Sequence, residues 1–350
     1  MLNSVRFSLA SPQWVSAMSI AFVITVEPGF LEAQALLLVE SIRTWAGPYR
    51  EEAVVLVQPR SGRTMCEGTR ARFERMGASF HHQTLNERLA DTPMANPVYV
   101  GAWAEQNLSV DCIALCDADS VILNPPEAFE LQANALVAVQ AVRRKGRGSS
   151  GADDPADPNW MDMYRVCGVK PHREVTCMQN GRRIRAYWNG GLVVARRSSG
   201  LFSTWLAFVE RVADFNRQTG RDLVALDQKV LAPAVDAAAA NGVVELPMEY
   251  NYAIPQRGIM VRDDMRTVSL EDLVHVHYHH WFNRRHFLTD LRPEFDTSGE
   301  RFKWLSERLP LAPVHSQPLL SEESRSAAIK PSRYRSRFKE ARSAYHRYTG

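Results

Sequence analysis

Short, continuously apolar runs separated by helix-period segments constrain the fold of this chain more than any other feature. Ala21–Val26, Ala53–Val57 and Asp111–Leu115 do not alternate apolar with polar residues, which is the pattern of strands covered on both faces. Between the first two, Leu31, Ala35, Leu38, Ile42 and Trp45 recur at helical spacing until Gly47-Pro48. Thr69–Met76 and Val98–Asn107 suit two more helices, and Leu136–Val142 a further strand. This alternation predicts an α/β fold with a mostly parallel, doubly wound sheet flanked by helices.

The rhythm stops at residues 143–186, a polar Gly- and Pro-rich stretch with ten Lys/Arg against five acids. A segment of that length without periodicity predicts a lid or a loop without regular structure. Periodicity resumes at Tyr187–Ala195, with a helix at about Leu201–Phe215, a helix over Asp227–Leu231, and strands at Val243–Leu246 and Leu273–Tyr278.

Net charge is only +3, but residues 325–350 carry eight Lys/Arg against one acid. Tyr334, Phe338, Ala341, Tyr345 and Tyr348 give that tail the pattern of a basic amphipathic helix, which either packs on the body or attaches to an anionic membrane surface. The resulting division is an extension (1–17), a main domain (18–310) containing the insert, and a linker with the basic tail (311–350). No apolar run reaches the roughly 20 residues of a membrane span. Five sparse cysteines without a C-x-x-C pair fit neither a disulfide framework nor a zinc ribbon, and suggest reduced thiols in a cytoplasmic protein. The charge pattern does not call for nucleic acid as a partner.

The chemistry concentrates at Asp117-Ala118-Asp119, directly after an apolar strand. Ligands of open α/β sheets bind at that carboxyl edge, where two carboxylates could face one hard divalent cation or form a solvated Asx turn. By themselves Asn189-Gly190-Gly191 read as a turn before a strand, and Asp227 as a helix cap. His275, His277 and His279 fall on one face of a strand, where three imidazoles could also bind zinc. The chain has no Walker, G-x-S-x-G or H-E-x-x-H pattern.

Leu115–Pro126, which holds these aspartates, resembles the strand, D-x-D and short strand of nucleotide-sugar glycosyltransferases with the GT-A fold. Four further blocks follow in the order seen in the glycogenin-like retaining branch, family 8: Tyr187-Trp188-Asn189-Gly190-Gly191-Leu192-Val193-Val194, Leu226-Asp227-Gln228-Lys229-Val230-Leu231, Leu246-Pro247-Met248-Glu249-Tyr250-Asn251-Tyr252 and Val276-His277-Tyr278. The resemblance spans about residues 20–285.

It implies a GT-A, Rossmann-like domain in which Asp117, Asp119 and His277 hold Mn²⁺ or Mg²⁺ across the phosphates of a nucleotide-sugar donor, with Mn²⁺ favoured by the imidazole. It further implies that Asn189 and Asp227 touch the donor sugar or acceptor hydroxyls, and that Thr25, Gly190 and Gly191 belong to the donor site. The family's phosphate-clamping lysine position is Asn283 here, so Arg284 is the candidate for that role. The expectation is a metal-dependent glycosyltransferase moving a sugar, most simply from a UDP-sugar, to a glycan, lipid-linked or protein hydroxyl. Sugar nucleotidyl transfer and a catalytically silent binding protein are the alternatives.

Overall fold

Both faces of the central sheet are covered at its middle, which is why the strands there are apolar at nearly every position. A computed structural model describes residues 18–314 except 63, 172, 179, 260–267, 285, 286 and 288–297. The expected extension at 1–17 and the basic tail lie outside the described residues. Along the chain run β1 (Ile20–Thr25), α1 (Phe30–Trp45), β2 (Ala53–Gln58), α2 (Glu67–Arg75), β3 (Ala78–His82), α3 (Asn96–Asn107), β4 (Cys112–Cys116), β5 (Ser120–Ile122) and β6 (Val137–Ala141). After these come α4 (Asp157–Cys167), β7 (Glu174–Thr176), β8 (Arg183–Arg185), β9 (Trp188–Arg196), α5 (Leu201–Gln218), α6 (Leu226–Ala238), β10 (Val243–Glu245), β11 (Tyr252–Ala253) and β12 (His275–His277).

Seven strands form the main sheet in the order β10-β6-β9-β4-β1-β2-β3. β9 alone is reversed within it, pairing antiparallel with β4 and β6 while the other pairs are parallel. Ala21 and Val23 of β1 enter one core with α3, α5 and α6; Ile20, Phe22 and Ile24 enter the other with α1 and α2. A second sheet, β11-β12-β5, stands beside the first. The chain passes from β4 of the large sheet to β5 of the small one through Asp117–Asp119. No described helix is long and apolar enough to cross a membrane, and all five cysteines are free.

The insert departs from the expected irregular loop. Its second half folds into α4 and the β7-β8 hairpin because Trp160, Met163, Tyr164 and Cys167 share one helix face and are buried against the body. Asp236 of α6 fixes it, accepting from the Tyr164 hydroxyl at 2.9 Å and pairing with Arg173 at 2.8 Å. Asp236→Ala should therefore cost about 3–5 kcal/mol in chemical denaturation, since it leaves a partly buried guanidinium uncompensated. A loss below about 1 kcal/mol would contradict this anchoring.

Candidate active site

The D-x-D turn is held between the two sheets by backbone bonds. Asp117 N–H donates to the Gly191 carbonyl at 3.0 Å, and Tyr278 N–H donates to the Asp119 carbonyl at 3.0 Å. His277 of β12 pairs with Ser120 of β5, which sets its ring beside the carboxylates. Between Val139 and Gln140 of β6 the pairing on β9 jumps from Val193 to Asn189, so Gly190-Gly191-Leu192 bulges out of that ladder. Asn189 Oδ1 closes the bulge by accepting from Gly191 N–H at 2.9 Å, leaving Nδ2 as its available donor. A Cβ on Gly191 would lie 2.5 Å from the His277 ring, so the close approach of imidazole to backbone requires glycine here.

His277 Nε2 lies 3.1 Å from Asp119 Oδ1 and 3.8 Å from Asp117 Oδ2, and His279 Nδ1 is 3.9 Å from Asp119 Oδ2. Asp119, His277 and His279 each present a ligand atom, all within 4.8 Å of one another, a carboxylate–imidazole donor set suited to a divalent cation. Asp117 stands at the edge of this group.

His279 is an addition to the three ligands expected from sequence. Its backbone turns left-handed at φ 52° after β12 ends, which brings its ring to 4.0 Å from that of His277. His275 lies outside the cluster, fully buried with both ring nitrogens unpartnered, so the three strand histidines do not form one ligand set. Asn251 also has a role that sequence spacing left unassigned. Its Oδ1 lies 3.1 Å from His277 Nδ1, and since that oxygen only accepts, it fixes the ring with Nε2 toward Asp119.

Electrostatics follow from burial and from this pairing. Burial pushes the Asp117 carboxyl up to about 7, with Asp119 and Asp227 adding to the shift against the pull of His277. Burial acts on Asp119 in the same direction, but the charge and hydrogen bond of His277, with His279, outweigh it and hold Asp119 down at about 2. For His277, burial is likewise outweighed by Asp119 and Asp117, and its pKa is raised. His279 falls to about 3 through burial and repulsion from His277. His277 and Asp119 thus each favour the other's charged form.

These groups line a cleft of about 570 Å³, together with Thr25, Asn189, Gly190, Gly191 and Asp227. Asp227 opens α6; Trp205 Nε1 donates to its backbone carbonyl at 2.9 Å, while its carboxylate Oδ1 is buried without a partner. Burial raises that carboxyl to about 6. The start of the insert forms another part of the wall through Arg143, Arg144 and Arg147. Arg284 is placed elsewhere. It stacks over the Trp281 ring at 4.6 Å and meets His280 Nε2 at 2.9 Å, outside the cleft lining.

No curated protein matches this chain. Among solved structures it is similar to the apo form of the bifunctional glycosyltransferase WbbM, at 13% identity over 88% of this chain and 53% of that one, with TM-score 0.49. It therefore spans about half the length of that protein. It is also similar to galactosyltransferase LgtC in complex with donor and acceptor sugar analogues (14% identity, 87% of this chain and 99% of that one, TM-score 0.48). A third is apo mouse xyloside xylosyltransferase 1 (12% identity, 74% and 96% coverage, TM-score 0.40). A family model described as the Rhodobacterales glycosyltransferase domain matches residues 22–239, a stretch that includes Thr25, Asp117, Asp119, Asn189 and Asp227 and ends before His277. That match spans well over half of the sequence, and the chain belongs to this glycosyltransferase family.

Proposed function

We propose that this glycosyltransferase takes its sugar from a nucleoside diphosphate donor, most simply a UDP-sugar, in a reaction that depends on a divalent cation. The observation that carries the reading is the Asp119–His277–His279 cluster in the wall of a cleft that also holds Asp117, Asn189 and Asp227. Asp119, His277 and His279 would hold the cation, with Asp117 beside them, and the mixed carboxylate–imidazole set favours Mn²⁺ over Mg²⁺. When bound, the cation would stabilise negative charge on the departing diphosphate.

The other roles belong to the chain itself. Asn251 would keep Nε2 of His277 directed at the ligand position, and Gly191 would give the ring its room. The Asn189 Nδ2 and the unpartnered Asp227 oxygen would bind hydroxyls of the donor sugar or the acceptor. A carboxylate buried without a partner is costly unless a donor group enters the cleft to meet it, which a sugar hydroxyl supplies.

Release of nucleoside diphosphate from a panel of UDP- and GDP-sugars tests the reading directly. One donor should be hydrolysed slowly with Mn²⁺ present, and Asp119→Ala should lower that rate by about 100-fold or more. Equal rates in the variant, or no Mn²⁺ dependence, would contradict it. Asn251→Ala should weaken Mn²⁺ binding by about 10- to 100-fold while the fold is retained, as removal of a group that orients a metal-binding histidine does. Unchanged Mn²⁺ affinity in calorimetric titration would remove Asn251 from that role.

A further inference from the structure

Much of the charge on the insert is neutralised by neighbouring acids. Lys145 pairs with Asp154, Arg165 with Asp162, Arg173 with Asp236, Arg183 with Glu174 and Arg185 with Asp157. Arg143 departs from this pattern. It is 2% exposed, and no described carboxylate lies within ion-pair distance of it. Its Nη2 donates to the Asn251 carbonyl, while Nε and Nη1 are buried without partners. The Tyr252 ring, 5.7 Å away, gives it a weak cation–π contact. Burial without a counter-ion lowers its pKa to about 10.

Three further facts connect this residue to a ligand. Arg143, Arg144 and Arg147 are the only guanidinium or ammonium groups among the described residues lining the cleft. Arg147 already meets Asp222 at 3.3 Å, whereas Arg144 has a buried Nε without a partner. The carbonyl that Arg143 holds belongs to Asn251, the residue that orients His277, so it stands one residue behind the carboxylate–imidazole cluster. A buried, uncompensated cation is strongly destabilising, and an anion in the cleft would relieve it.

We propose that Arg143, with Arg144 beside it, receives an oxyanion of the substrate, an unpartnered guanidinium nitrogen, Nη1 or Nε, donating to one oxygen of a phosphate or carboxylate group. This rests on the reading of the cleft as a sugar-transfer site. The oxyanion is either a phosphate of the donor or an acid group on the acceptor. Both present charged oxygens that accept strong hydrogen bonds from a guanidinium.

Calorimetric titration of the Mn²⁺-loaded full chain distinguishes the sources, with UDP, uridine, inorganic pyrophosphate and glucuronate as probes. In Arg143→Met, UDP should bind about 10- to 100-fold more weakly while uridine binding is unchanged. Arg143→Lys should recover part of the loss, and free Arg143→Met should melt no lower than wild type. A loss confined to glucuronate places the oxyanion on the acceptor. Wild-type affinity of Arg143→Met for UDP, pyrophosphate and glucuronate alike would make Arg143 a structural brace and overturn the proposal. If Arg143→Met does not fold, Arg143→Lys decides: weaker binding of an anionic probe supports the proposal, and equal binding of all of them overturns it. Failure of wild type to bind UDP would contradict the donor reading alone, because pyrophosphate and glucuronate would still decide Arg143.

Discussion

The contact between Asp119 and His277 holds this site together across 158 positions of sequence. One partner follows the strand that crosses from the large sheet to the small one, and the other ends the middle strand of the small sheet. The contact requires Gly191, which leaves space for the ring, and Asn251, whose Oδ1 holds Nδ1 so that Nε2 faces Asp119. Within this arrangement Asp119 and His277 each favour the other's charged form, which offsets the cost of burying them.

Backbone conformation supports the same conclusion. Among the described residues, the non-glycine positions with positive φ are Ala225, Asn251 and His279, and each adjoins or belongs to the cleft. Ala225 precedes Asp227 at the start of α6, Asn251 orients His277, and His279 completes the cluster. Left-handed backbone at such residues costs of order 1–3 kcal/mol each and persists where the surrounding structure enforces it. Three such positions converging on one cleft place the unfavourable geometry where ligand groups must be aimed.

The strands of the main sheet were legible in the sequence because two-sided burial makes their apolar runs continuous; β1, β2 and β4 follow them within a residue or two. β3 was not legible, since an edge strand reading Ala-Ser-Phe-His-His has no such run. The insert misled through composition. Its Arg- and Gly-rich opening concealed a helical repeat at Trp160, Met163, Tyr164 and Cys167, with Pro158 at the helix start. Asp117 and Asp119 stood out as a local carboxylate pair, Asn189, Asp227 and His277 through the family resemblance, and all five line one cleft. His279 was grouped with His275 and His277 as a possible zinc face, not with Asp119, because strand alternation was carried past the point where the chain turns. The position of Arg284 depends on its stacking with Trp281, which spacing does not encode.

The proposed divalent-cation site of this glycosyltransferase consists of Asp119, His277 and His279. Electron paramagnetic resonance of added Mn²⁺ tests it without knowledge of donor or acceptor, because the signal of the free aquo ion falls as the ion binds. A site at this cluster should give saturable binding of a single Mn²⁺ per chain, lost in His277→Ala. An undiminished aquo-ion signal with wild type, or equal binding by His277→Ala, would contradict it.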